Sequence, residues 1–490
     1  MSVNPSKSRP LDERVHWAWF VIAAMLLALA SLLVVNRHRF DWALELAGIP
    51  ALPLMAGLIA AGVAFVMLLP LLHATAHMSV TNSRGGLWFI AAVGLILRLM
   101  MFATEPALED DQQRYLVEGA LWANGISPYR VSPEDVKSAD RGTLLGRLAD
   151  QAGPVLERVN HPKLKTIYPP VAETAFALAY MLKPFSLTSW RFVLLAADCG
   201  TLAILLLLLR DAGRPAPWVA LYWWNPIVIK EVFNSAHMEG VLTLFVVATV
   251  LLAVRQRHLL ASGALGLAVG VKIWPILLAP LVLRPLVQRP RMLVACAALI
   301  VAMCMLWVWP IVAGGLDERS GFVAYAQRWQ ANGALLPALR EGIATVLRVS
   351  VDTAGGAARL LLALAAGLVA LLAAWRPIGD SKDIVCRAAL VTLAIALTSP
   401  AQFPWYMIWT LPFVVFAPRW GVVAMAVFLP IYYASFHFSA IDAFPVFRDR
   451  VVWLIWLPIW ALLALEAWRG RQRRQSIGSM AEAGKGKHAQ

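Results

Sequence analysis

Three acidic residues stand in a row at Glu109-Asp110-Asp111, followed by Gln112-Gln113-Arg114-Tyr115. Neighbouring carboxylates are suited to proton transfer or to holding a cation. Asp110, Arg114 and Glu118 share one helix face at i, i+4 spacing, which fits a solvated ion-pair stripe. Asp111 falls on a different face, with Tyr115 and Trp122. A second polar group is Glu231, His237 and Glu239, offering oxygen and imidazole atoms to a divalent metal or to a hydrogen-bonded loop. A third is Lys272, which breaks the apolar run 258–288. An ionisable residue at such a depth is a candidate site residue, unless its ammonium reaches the interface along its own stem.

The elements that carry these groups are set by composition. The chain has 490 residues, of which 60% are apolar and 15% charged, against roughly a quarter charged in soluble domains. Mean hydropathy is +0.66. Apolar runs near the ~20 residues needed to cross a bilayer recur along the whole length. They fall at 17–35, 51–73, 86–103, 169–185, 189–210, 217–233, 238–254, 258–288, 291–312, 357–375, 384–400, 404–417, 420–437 and 451–468. A soluble enzyme, a disordered chain and a disulfide scaffold are excluded. The expectation is an all-α polytopic membrane protein with no internal repeat.

The net charge of +14 sits in short clusters between the runs, as positive-inside topology requires, so no nucleic-acid partner is implied. Arg84, Arg210/Arg214, Arg255/Arg257, Arg284/Arg289/Arg291, Arg376/Lys382 and Arg471/Arg473/Arg474 are all assigned to the cytoplasm. This holds if 169–185 lies at the outer interface or re-enters, and if 258–288 is a hairpin with Lys272 near its outer turn. Each hairpin arm is then about 20 Å long, short of a ~30 Å hydrocarbon core. Both termini face inward, and the polar stretches 104–168 and 313–356 face outward. Lys7, Arg9 and Arg14 precede the first run; it continues past Ala28-Leu29-Ala30, so an uncleaved span is expected. Cys199, Cys296, Cys304 and Cys386 lie in apolar runs without ligand spacing. Trp17, Trp88, Trp218, Trp309, Trp375 and Trp420 sit at span ends as an aromatic belt.

The ordered set of motifs resembles the GT-C glycosyltransferases, closest to glycosyltransferase family 87 and related bacterial mannosyltransferases. It comprises the acidic pair with Arg114-Tyr115, Gly119 and Gly125-x-x-Pro128-Tyr129, then Thr166-Ile167-Tyr168-Pro169-Pro170. Trp224-Asn225-Pro226, Glu231, His237-Met238-Glu239 and Gly270-Val271-Lys272-Ile273-Trp274-Pro275 follow. Phe322, Tyr325, Trp329 and Asn332, and finally Ser399-Pro400 with Pro404-Trp405-Tyr406, complete it. The chain departs from the pattern at Val117-Glu118-Gly119, Ser127-Pro128-Tyr129 and His237-x-Glu239, positions that bear on the sugar and acceptor.

The resemblance implies a GT-C fold with about fourteen membrane segments, two of them short and paired. It divides the chain into three N-terminal spans (1–103), a first outer loop (104–188), central spans (189–312), a second outer loop (313–356), C-terminal spans (357–468) and a basic, unstructured tail (469–490). It implies an inner-membrane enzyme that takes a hexose, mannose by likeness, from a polyprenyl-phosphate donor to an extracytoplasmic lipid or glycan acceptor, with inversion. Asp111 would be the general base, with Asp110 as the alternative. Lys272, Arg114 and Arg328 would meet the donor phosphate. Tyr115, Tyr168, Glu231, His237, Glu239, Trp329 and Trp405 would line the substrate site, the two tryptophans by stacking on sugar. It fixes no cofactor, and leaves a divalent metal open beside a metal-free site. Membrane lipids are the other expected partners; oligomeric state leaves no mark in the sequence. A transporter of lipid-linked sugar is the competing class. It would place polar residues near the midplane in repeated, broken helices.

Overall fold

The computed structural model describes residues 9–78 and 81–486, and the side chains within 17–78 and 81–472. Lys7, the side chains of Arg9 and Arg14, and residues 487–490 of the tail lie outside what it describes. The protein is an all-α bundle. Among the described residues the one β feature is an isolated bridge between Ala331 and Ala401.

Among the described residues eight helices are long and apolar enough to cross a membrane, and four shorter apolar helices accompany them. The N-terminal part contains α1 (Arg9–Val35), α2 (Ala51–Val66), α3 (Leu68–Thr75) and α4 (Arg84–Met101). The membrane-facing logic is plain in the helix Val351–Trp375. Leu360, Leu364, Leu368 and Leu372 point outward, while Ala354, Ala358, Ala366 and Ala370 are buried. Large side chains meet lipid and small ones let neighbouring backbones approach. Inside the bundle, Arg98 of α4 pairs with Asp198 at 2.6 Å, both fully buried.

Segments 217–233 and 404–417 differ from the uniform spans expected of them. The first is divided into Ala216–Val219, Ala220–Trp223, Pro226–Val228 and a π-helical turn, Ile229–Asn234. The second forms two 3-10 turns, Pro404–Trp409 and Leu411–Val415. Pro217, Pro226, Pro404 and Pro412 remove the amide each helix would need. Hydropathy registers none of this. Segment 169–185 forms a helix only over Pro170–Leu182, about 20 Å long. In 258–288, helix His258–Val271 ends at Lys272, whose backbone is extended, and the shorter turns Trp274–Leu286 pack back against it. The tail is not unstructured: the last helix runs Val452–Gly486. Arg, Gln, Ala and Glu in that stretch are good helix formers, which outweigh its few glycines.

The stretch 104–168 carries α5 (Asp111–Ala123) and three short helices. α5 packs along Pro170–Leu182, and Gly119 makes this possible. A Cβ there would lie 2.5 Å from the Phe176 carbonyl oxygen. This packing fixes the N-terminus of α5, and with it the acidic row.

Candidate active site

The acidic row is placed from three directions. Asn234 accepts from the Ala107 amide at 3.0 Å and donates to Thr104 Oγ1 and the Glu105 carbonyl, both at 2.9 Å. Arg191 ties Thr104 and Asn234 together through their carbonyls. Asn160 donates to Asp110 Oδ1 at 2.8 Å and Asp111 Oδ1 at 3.0 Å. Asn160 is itself held by Arg114, whose guanidinium donates to the carbonyls of Asn160, His161 and Leu164 and to Glu118. Arg114 and Glu118 are therefore not a solvated stripe: both are buried, and their ion pair is a strut for the 160–164 loop. Every donor contact of Arg114 faces the protein, so it does not present its charge to a donor phosphate.

At the centre stands His237, fully buried and stacked on Trp405 with centroids 3.9 Å apart. Its Nδ1 lies 3.6 Å from Asp111 Oδ2; its Nε2 lies 3.9 Å from Glu109 Oε2 and 3.8 Å from Glu231 Oε2. Neither nitrogen has a hydrogen-bond partner, nor does Glu109 Oε1. Trp190 donates to the Ala236 carbonyl at 2.7 Å and fixes the loop that carries the ring. Phe403 is stacked on Trp405 as well, at 4.3 Å. Two parallel rings this close to one indole must take opposite faces. The expected sugar platform at Trp405 is therefore occupied, and its role is to orient His237.

Two lysines flank the carboxyls. Lys272 donates to Glu239 at 2.8 Å and lies over the rings of Tyr406 and Trp409, at 4.0 and 4.9 Å. Lys230, absent from the sequence-based set, donates to Ser235 at 2.6 Å and Tyr433 at 2.7 Å. Tyr433 in turn donates to Glu231 at 2.8 Å. A Lys-Glu pair inside the apolar run 217–233 was the signal that marks Lys230. Glu109 also belongs to the set, and its signal was its place in the acidic row. Asn160 and Tyr433 carried none, since each acts through a contact distant in sequence.

Trp329 stands at the rim, 4.9 Å from His161 and stacked on Tyr325 at 6.2 Å. Tyr325 meets Tyr406 through their hydroxyls at 3.1 Å, which links the 313–356 stretch to Lys272. Arg328, next to Trp329, is exposed. Tyr115 and Tyr168 are buried and pack edge to face, with Tyr115 stacked on Phe176. They form the floor under Asp111 rather than an open wall.

Desolvation governs the electrostatics. In the cleft it pushes Asp110 up to about 6, with the Asp111 charge adding to the effect and Asn160 opposing it. Asp111 is raised by its removal from water, against the Asn160 hydrogen bond and the charges of Arg114 and Lys272. Glu109 is raised well above the carboxylate range by burial, against Lys230. Carboxyls held up in this way can accept a proton near neutral pH.

Residues 166–400 match the family model of glycosyltransferase family 87. This matched segment, just under half of the chain, is similar to glycosyltransferase family 87. Alpha-(1→6)-mannopyranosyltransferase A of Mycobacterium tuberculosis is 25% identical over 348 residues, covering 64% of this chain and 62% of that protein. The match thus spans less than two thirds of that relative's length. No solved structure matches this chain. The matched segment contains Tyr168, Glu231, His237, Glu239, Lys272 and Trp329. The acidic row precedes it, and Trp405 and Tyr433 follow it.

Ligand atoms of Glu109, Glu231 and His237 lie within 4.8 Å of one another. Two carboxylates and an imidazole with both nitrogens unpartnered fit a divalent ion.

Proposed function

We propose that the protein is an integral-membrane glycosyltransferase that moves a hexose, mannose favoured, from a polyprenyl-phosphate donor to a lipid or glycan acceptor. The face of the membrane that holds the site is extracytoplasmic, because a lipid-borne donor is what a transferase needs where nucleotide sugars are absent. The observation that carries this reading is the desolvated Asp111, held beside His237 and across from Lys272, in a chain with a segment similar to family 87.

Asp111 is the general base. The acceptor oxygen attacks the anomeric carbon as its proton passes to the Asp111 carboxylate. The bond between that carbon and the phosphate oxygen breaks, and the leaving polyprenyl phosphate carries away the electron pair. Attack opposite the leaving group inverts the configuration. Lys272 balances the charge that grows on the phosphate, exchanging Glu239 for it; Arg328 at the rim assists. Asp110, more open to solvent, is the alternative base. Trp329 offers the aromatic face for the sugar.

A divalent ion would be held by Glu109, Glu231 and His237 and would supply charge stabilisation there. Chelation separates this from a metal-free site. Loss of turnover on EDTA, restored by Mg²⁺ or Mn²⁺, requires the ion, whereas unchanged turnover excludes that requirement.

The test of the function is a proteoliposome assay with radiolabelled polyprenyl-phosphate mannose and crude membrane-lipid acceptors. Label moving to a new product in wild type but not in Asp111→Asn is the expected result. Label that crosses the bilayer without a new product, unaffected by the substitution, would replace the transferase with a transporter.

A further inference from the structure

A cavity of about 260 Å³ lies between α1, α2 and α4, apart from the carboxyl cluster. Its wall is almost wholly apolar, with Leu26, Leu33, Leu54 and Leu97 among the lining side chains. Three polar side chains reach it. Asn36 spends its amide on the Leu32 carbonyl. Lys230 is occupied by Ser235 and Tyr433. Arg39 is exposed at the rim and has no ion pair among the described residues. An apolar slot excludes water but accepts hydrocarbon, and an unpaired guanidinium at its mouth favours an anionic head group.

The position of the cavity narrows the occupant. Lys230 lines it and also borders the carboxyl cluster through Tyr433 and Glu231. The other lysine, Lys272, stands on Glu239 and the Tyr406 and Trp409 rings. Two substrates must meet at Asp111. With the donor phosphate at Lys272, the side bordered by Lys230 is left for the acceptor. The walls α1, α2 and α4 all precede residue 166, so the cavity is largely a property of the N-terminal part and not of the segment matched to family 87.

We propose that this cavity binds one acyl chain of an anionic lipid, and that this lipid is the acceptor. The second half rests on the transferase reading; the first does not.

The test uses the full chain in phosphatidylcholine nanodiscs, each with one of three probes carrying a mid-chain diazirine: phosphatidylglycerol, phosphatidylcholine or polyprenyl phosphate. After irradiation, labelled residues are mapped. Phosphatidylglycerol is expected to label the α1 and α2 walls about tenfold more than phosphatidylcholine, and Arg39→Gln should remove that preference. Gly57 lines the cavity and a Cβ there meets nothing within 4 Å, so a side chain can start from it, and Gly57→Trp should occupy the cavity and abolish the labelling. Gly57→Leu, a smaller plug, should reduce it and guards against misfolding of the larger variant. Equal labelling by both phospholipids would mean boundary lipid only, and stronger labelling by polyprenyl phosphate would assign the cavity to the donor. Either outcome overturns the proposal. Labelling needs no turnover, so a failed transferase assay leaves the binding result standing. Given turnover, an unchanged acceptor KM in Gly57→Trp would overturn the acceptor assignment alone.

Discussion

Two of the buried ionic clusters in this bundle are built on opposite principles. Around Arg98, one cation meets one anion. Arg98 donates from Nε to Asp198, and from Nη1 to the carbonyls of Gly94 and Trp223. Its remaining nitrogen, Nη2, makes no hydrogen bond, and the guanidinium lies 3.4 Å from the Trp223 ring centroid. Tyr222 completes Asp198 at 2.5 Å. Around His237, carboxyls outnumber lysines, both ring nitrogens lack partners, and Glu109 and Glu239 each leave an oxygen unpaired. A matched pair holds helices together; a cluster with more carboxyls than cations retains the capacity to bind something. The difference teaches that burial of charge alone does not mark a site. An excess of one charge does.

The comparison breaks most sharply at Asp111. Asp111→Asn keeps the shape and removes the base, so turnover should fall ~10²–10⁴-fold with unfolding in detergent unchanged. Arg98→Met should do the reverse. It leaves Asp198 buried without its cation, at a cost of about 3–5 kcal/mol, read as a lower thermal midpoint with turnover per folded molecule retained. Equal behaviour of the two variants would dissolve the distinction.

Lys272→Gln removes a charge-assisted contact worth about 1.5–3 kcal/mol. The expected loss is ~10–100-fold in kcat/KM for the donor, with stability little altered. The pH profile sharpens the electrostatic side. Since Asp111 must be ionised and burial raises it, kcat/KM should climb as pH rises through that elevated value and then level. The Asn160 amide bonds the charged forms of Asp110 and Asp111 and holds both down. Asn160→Ala should therefore shift the acid limb to higher pH, and a shift to lower pH would count against Asp111 as base. The smallest effect is expected at Trp329→Leu, where a lost stacking face of about 0.5–1.5 kcal/mol raises KM a few-fold without touching kcat.

Much of this site could be read from residue types. The acidic row, Glu231, His237, Glu239 and Lys272 stand out because charges are costly in an apolar chain, so each one present asks for a reason. Arg114 and Trp405 stand out equally, yet both serve the architecture: one braces the 160–164 loop, the other orients His237. No residue type distinguishes a guanidinium that faces a substrate from one that faces carbonyls. Asn160 and Tyr433 had no local signal at all, because a polar residue in a loop or a tyrosine near a span end is commonplace until its partner is known.

The sequence by itself determined the all-α membrane class and the charges that had to be accounted for. These follow from hydropathy and from the cost of desolvation, both of which act locally along the chain. The tertiary structure alone decided which charges were neutralised and which were left open. That choice rests on contacts between segments far apart in sequence, such as Arg98 with Asp198, Lys230 with Tyr433 and Asn160 with Asp111. It is made by geometry at the ångström scale, over which hydrogen bonds and desolvation change sign in their effect.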